Sequence, residues 1–205
     1  MGLADPEDEL VGLDLTQPRS TELGPWAPVP ILQREWEFDT LLHIYADRQP
    51  KRVLEVGTYH GGTLYHWLAN HDPDLVVAVD SYQTGVDNRV LFRQWAAEAG
   101  SQLVIVEGDS MNADTIAAAA EHAPFDWVWI DAGHFEHETQ ADWDNFGTLC
   151  APGGVVCLHD ILTHPSHPAI EVERVWRRIQ QQGYLTRELV ADPSADWGGI
   201  GVVYL

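Results

Sequence analysis

From Lys51 onward the chain alternates short apolar runs with segments of helical character, and this alternation constrains the fold more than any other feature. The runs cover 52–56, 75–79, 103–106, 125–130, 155–158, 184–190 and 200–204. Helical segments are expected between them at 63–70, 86–99, 111–122, 137–150 and 169–182. Apolar strands joined by helices form βαβ units around a parallel sheet, buried on both faces. Only a short turn containing Pro193, Gly198 and Gly199 separates the last two runs, too short for a crossover helix, so these strands pair antiparallel. The expected fold class is therefore α/β: a doubly wound, seven-stranded, mostly parallel sheet with an antiparallel last strand.

Three regions follow from the pattern. Residues 1–24 are acidic and broken by Pro6, Pro18 and Gly24, which predicts a flexible N-terminal arm. Residues 25–50 hold Leu32, Trp36, Leu41, Leu42 and Tyr45 near helical spacing, predicting a leading helix over 31–48 that ends at Pro50 and caps the substrate site. Residues 51–205 form the main domain. With 11 basic against 32 acidic residues, a net charge of −21, the protein repels phosphate backbones and anionic lipid, which argues against nucleic-acid and membrane partners. No stretch reaches the ~18 apolar residues of a membrane helix. Cys150 and Cys157 lie in apolar surroundings without metal-site spacing and read as buried free thiols, consistent with a reducing, cytoplasmic setting.

In an open α/β sheet, ligands bind beyond the carboxyl ends of the strands, so the residues after each run carry the chemistry. The first run ends in Glu55-Val-Gly57-Thr58-Tyr-His-Gly61-Gly62-Thr63, a strand turning through glycines into a helix. Such a turn lets the backbone approach a ligand and offers amide N–H groups to an anion. Asp80-Ser81 ends the second run, where a carboxylate can accept the hydroxyls of a ribose. Asp109-Ser110 follows the third, Asp131 the fourth, and His159-Asp160 the fifth. One such acid is commonly a helix cap, but five successive acidic strand ends exceed what capping requires.

These residues, together with Ala151-Pro-Gly-Gly-Val155, resemble the class I S-adenosylmethionine-dependent methyltransferases, over about residues 51–205. The resemblance implies the Rossmann-like methyltransferase fold and S-adenosyl-L-methionine as cofactor. Glu55, Gly57, Thr58 and Gly61 would hold its methionine part, Asp80 and Ser81 its ribose, and Asp109 and Ser110 its adenine, with Asp131 beside the reacting centre. Within that superfamily, Ile130-Asp-Ala-Gly-His134 and Leu158-His-Asp160 are similar to a subgroup that includes catechol-type, macrolide-sugar and cephalosporin-cluster enzymes. That subgroup implies natural-product chemistry, O-methylation of a small-molecule acceptor, and often a homo-oligomer. It also implies a divalent cation, Mg²⁺ or another, at Asp131, His159 and Asp160. The subgroup's pair is usually Asp-Asp, Asp-Asn or Glu-Asp, and the His here is a softer ligand that suits Mn²⁺, Fe²⁺ or Co²⁺ as well. The same pair also reads as hydrogen-bonding groups without a metal. Asp131 and His134 are the expected catalytic residues, His134 as general base.

Three rival readings use the same residues. A nicotinamide site would need a middle glycine that Gly57-Thr-Tyr-His-Gly61 lacks. Two histidines and a carboxylate drawn from His134, His159, Asp160, His164 and His167 would suit an oxidative non-haem iron enzyme, whose usual fold is all-β. A non-catalytic cofactor-binding module would not need such crowded polar strand ends. His164 and His167 are expected in a mobile loop at the site mouth, and His137 in solvent. Trp67, Trp127, Trp129 and Trp176 fit core positions, whereas Trp26, Trp36 and Trp197 are candidates for an acceptor wall.

Overall fold

The structure, a computed structural model, describes Val29 and residues 31–83 and 87–205. The expected arm at 1–24, Trp26 and the start of the predicted 86–99 helix lie outside the described residues. The elements run α1 (Glu35–Arg48), β1 (Arg52–Val56), α2 (Gly62–His71), β2 (Leu75–Asp80), α3 (Arg89–Ala99), β3 (Gln102–Glu107), α4 (Ala113–Ala120), β4 (Phe125–Ile130), α5 (Glu136–Phe146), β5 (Cys150–His159), α6 (Val172–Gln181), β6 (Leu185–Leu189) and β7 (Ile200–Tyr204). The sheet order is β3-β2-β1-β4-β5-β7-β6. β7 lies antiparallel to both β5 and β6, and the other pairs are parallel. The expected seven-stranded, doubly wound sheet is therefore present.

Strand alternation sorts the core onto two faces. Trp127, Trp129, Val53, Val76 and Cys157 face α1, α2 and α3, packing against Phe38, Tyr45, Trp67 and Phe92. Val128, Ile130, Val77, Val156 and Leu158 face the other way, against Phe146, Val175, Trp176 and Ile179 of α5 and α6. Trp67, Trp127, Trp129 and Trp176 are fully buried, as their apolar settings implied. Both cysteines are free and buried.

Element boundaries differ from the expectation where local chemistry competes. α1 starts at Glu35 instead of residue 31, because Arg34 is extended (φ −69°, ψ 133°) after a proline-rich approach. α4 starts at Ala113, since the Asn112 side chain accepts a bond from the Asp114 amide and caps the helix there. The predicted 137–150 helix ends at Phe146, followed by a 3₁₀ turn at Gly147–Leu149. Cys150 already pairs with Phe125, so β5 begins five residues before the predicted 155. α6 is shorter than 169–182 at both ends.

β1, β2 and β3 progress toward one edge of the sheet, while β4 and β5 lie on the opposite side of β1. The chain's direction of travel across the sheet thus reverses between β1 and β4, opening a crevice beyond their carboxyl ends. No helix among the described residues is long and apolar enough to cross a membrane.

Candidate active site

A cavity of about 990 Å³ occupies this crevice, large enough for a nucleoside-sized ligand and a small partner. Gly57 forms its floor. Its φ is +92°, and a Cβ there would lie 2.1 Å from the carbonyl oxygen of Asp131, so only glycine permits β1 and β4 to approach this closely. Gly61, the N-cap of α2, has φ +86° and would drive a Cβ to 2.1 Å from Phe92.

Asp80 closes the glycine turn onto β2. Its Oδ2 accepts the amides of Thr58 at 2.9 Å and Tyr59 at 2.7 Å, and its Oδ1 accepts the Tyr82 amide at 2.6 Å. Asp80, Ser81, Thr58, Asp109, Ser110, Asp131, His134, His159 and Asp160 all line the cavity, so the structure brings most of the expected site residues together. Glu55 and Gly61 do not line it. Glu55 is fully buried beneath the turn, where its Oε1 accepts bonds from Thr63 Oγ1 at 2.5 Å and Trp67 Nε1 at 3.0 Å. Burial pushes its carboxyl up to about 8, against those hydrogen bonds.

The most charged corner lies where β4 and β5 end. Asp131 Oδ1 is 3.4 Å from His159 Nδ1 and 3.9 Å from His134 Nε2. Asp160 Oδ2 is 3.3 Å from His134 Nε2 and 3.5 Å from His159 Nδ1. Asp160 also has φ +62°, a left-handed backbone that Asp tolerates better than most side chains and that aims its carboxylate back into the cavity. Burial alone would lower His159, but the carboxylates of Asp131 and Asp160 outweigh it and raise the imidazole to about 10. The hydrogen bond that His134 donates to Asp160 raises the imidazole, despite partial burial. Burial would raise Asp160, yet its two histidine partners hold it well below the usual carboxylate range.

Asp131, His134 and Asp160 each offer a ligand atom, all within 4.8 Å of one another. Two hard carboxylates and one imidazole suit a divalent ion of intermediate softness, so the residues fit a cation. His159, expected as a ligand, is 4% exposed and stands behind this group with Nδ1 toward both carboxylates. His134, expected only as a base, is the third residue of this group.

His164 differs from the reading of the loop, while His167 lies at the site as expected. His164 is buried, and its Nε2 accepts the Gly198 amide at 2.8 Å, which fixes that nitrogen as unprotonated and the loop as pinned. His167 lines the cavity. Trp197 does too, whereas Trp36 does not. Arg34 stacks on the Trp197 ring, 4.3 Å from its centroid. Three contributors had no legible signal in the sequence. Gln33 Nε2 donates to Asp131 Oδ2 at 2.8 Å, Glu37 accepts the amides of Ala191 and Gly199, and Asp142 accepts the Gly133 amide at 3.2 Å. Gln33 and Glu37 act across the fold on partners distant in sequence, whereas Asp142 lies nine residues from Gly133.

The sheet order and the crevice define the Rossmann-like methyltransferase fold. Residues 54–161, just over half of the chain, match the profile of a family described as Methyltransferase domain (Methyltransf_24). The chain belongs to that family, and it is a class I S-adenosylmethionine-dependent methyltransferase. Among solved structures it is similar to the O-methyltransferase from Bacillus cereus in complex with SAH, at 16% identity over 88% of this chain and 84% of that one (TM-score 0.64). It is similar also to an O-methyltransferase from Streptomyces achromogenes involved in tomaymycin synthesis, in complex with SAM, at 21% identity over 86% and 83% (TM-score 0.60). A methyltransferase from Geobacter sulfurreducens matches at 18% identity over 86% and 82% (TM-score 0.59). At these identities the likeness is one of fold.

Proposed function

We propose that the enzyme transfers the methyl group of S-adenosylmethionine to a hydroxyl oxygen of a small molecule. The observation that carries this reading is the convergence of Asp80, Asp109 and Asp131, from the ends of three strands, on one cavity over a glycine floor. In the reaction the acceptor oxygen bonds to the methyl carbon as the sulfur–methyl bond breaks; the sulfur leaves as a thioether and the acceptor loses its proton. Alignment supplies most of the acceleration for such an in-line displacement.

The roles follow from position. Gly57 and Thr58 present backbone to the methionine part of the donor, while Glu55 and Gly61 support that turn from beneath and behind. Asp80, already holding three amides, has carboxylate acceptor capacity left for a ribose hydroxyl, beside Ser81. Asp109 and Ser110 flank the adenine. Asp131, His134 and Asp160 hold a divalent cation, with His159 steadying both carboxylates. When bound, that ion would lower the pKa of the acceptor hydroxyl through its positive charge.

A second reading is favoured by the 3.3 Å contact of His134 with Asp160 and the raised basicity of that imidazole. In it no metal takes part, and His134, oriented by Asp160, removes the acceptor proton. The acceptor itself is neutral or cationic in either case. Among the described residues no Lys or Arg lines the cavity, while Asp80, Asp109, Asp131, Glu138 and Asp160 do.

The test is calorimetry with S-adenosylhomocysteine and NAD, followed by methyl transfer from methyl-labelled S-adenosylmethionine to a panel of hydroxylated and aminated small molecules, with and without chelator. Binding of S-adenosylhomocysteine and label on oxygen are expected. Binding of NAD instead, or label on nitrogen alone, overturns the reading. Chelation that abolishes transfer while sparing binding selects the cation, and chelation without effect selects the His134 base.

A further inference from the structure

Gln33 lies in the irregular residues just ahead of α1, is 8% exposed, and lines the cavity beside Ile31 and Leu32. Its Nε2 donates to Asp131 Oδ2 at 2.8 Å, across 98 residues of sequence. An ionised carboxylate only accepts, so this bond fixes which end of the amide faces Asp131. The other end, Oε1, is buried and has no hydrogen-bond partner among the described residues.

The two oxygens of Asp131 are thereby divided. Oδ2 belongs to Gln33, and Oδ1 is left for the side where His134 and His159 stand. A carboxylate held at one oxygen cannot rotate freely, and its second oxygen is presented in one direction. We propose that Gln33 is a positioning residue for the cation: it holds Asp131 by Oδ2 so that Oδ1 is ready as a ligand, and it ties that readiness to the segment walling the acceptor. This rests on the reading that Asp131, His134 and Asp160 take a divalent ion. Partners that orient metal ligands typically contribute 10- to 100-fold in metal affinity.

The probe is Mn²⁺ alone, added to the full chain and followed by the paramagnetic resonance of free aqueous Mn²⁺. Gln33→Met keeps the side chain's length without the amide, and Gln33→Asn keeps the amide but shortens its reach, so one serves if the other does not fold. Either folded variant is expected to bind Mn²⁺ about 10- to 100-fold more weakly than the unmodified protein, with the melting temperature of the metal-free protein and the affinity for S-adenosylhomocysteine unchanged. Unaltered Mn²⁺ affinity overturns the proposal. So does a joint fall in Mn²⁺ affinity, S-adenosylhomocysteine affinity and melting temperature, which would make Gln33 a structural tether. If the unmodified protein binds no Mn²⁺, the cation reading fails and this proposal with it, an outcome read without any variant.

Discussion

His134 Nε2 lies 3.3 Å from Asp160 Oδ2, joining the loop after β4 to a residue held in left-handed backbone at the end of β5. The contact is local to neither segment, and both readings of the chemistry pass through it. His134→Ala should lower methyl transfer by roughly 10²–10⁴-fold in single-turnover measurements at saturating donor. If His134 is a ligand, Mn²⁺ affinity falls in the same variant; if it is the base alone, Mn²⁺ affinity holds. An unchanged single-turnover rate removes His134 from the chemistry.

Asp80 gathers the amides of Thr58, Tyr59 and Tyr82, so its loss should disturb the turn as well as any ribose contact. Asp80→Ala is expected to cost about 1–3 kcal/mol of S-adenosylhomocysteine affinity, one to two decades, as read by calorimetry. Equal affinity in the variant would show that the donor's ribose is held elsewhere.

Glu55 gives the stability a pH dependence whose sign can be worked out. Its carboxyl is raised to about 8 in the fold, against roughly 4.3 in an unfolded chain. Between those values the folded state binds the extra proton, so this contribution to stability is fully present below pH ~4.3 and is lost as pH rises through about 8. Glu55→Gln keeps an oxygen for Thr63 and Trp67 but does not titrate. Its melting temperature should gain on that of the unmodified protein from pH 5 to 9, then level off. A constant difference across that range would mean that Glu55 is ionised throughout.

Glu37 on α1 is fully buried and accepts the Ala191 amide at 2.9 Å and the Gly199 amide at 2.8 Å, pinning both ends of the loop that carries Trp197. Glu37→Ala leaves two amides without an acceptor and should destabilise the fold by about 2–5 kcal/mol in denaturant unfolding. Well below its melting temperature, the variant should bind S-adenosylhomocysteine nearly normally while its acceptor KM rises, if Trp197, which lines the cavity, walls the acceptor as proposed. A loss of less than about 0.5 kcal/mol would show the clamp to be redundant.

The sheet and its chemistry-bearing edge were legible in the order of residues alone. Apolar runs such as 125–130, alternating with helical segments, read as strands of a buried parallel sheet, and an acid placed after such a run is delivered to the carboxyl edge wherever the strand goes. Asp80, Asp109, Asp131 and Asp160 therefore reached the cavity as expected. Local backbone rules act within a few residues, which is why the glycine turn was legible too. How those edge residues are divided among themselves was settled by packing. His159 ends a strand but faces into the protein, and His134 leaves its strand yet turns back to Asp160, because the pleat and the left-handed Asp160 set the direction of each side chain. Glu55 was expected in the cavity and lies beneath it, where Thr63 and Trp67 claim its carboxyl. Gln33 and Glu37 carried no sequence signal, since their partners lie 98 to 162 residues away and meet them only when α1 docks on the sheet. Spacing along a chain fixes what is near in sequence; hydrogen bonds between distant segments exist only after packing has brought them within about 3 Å.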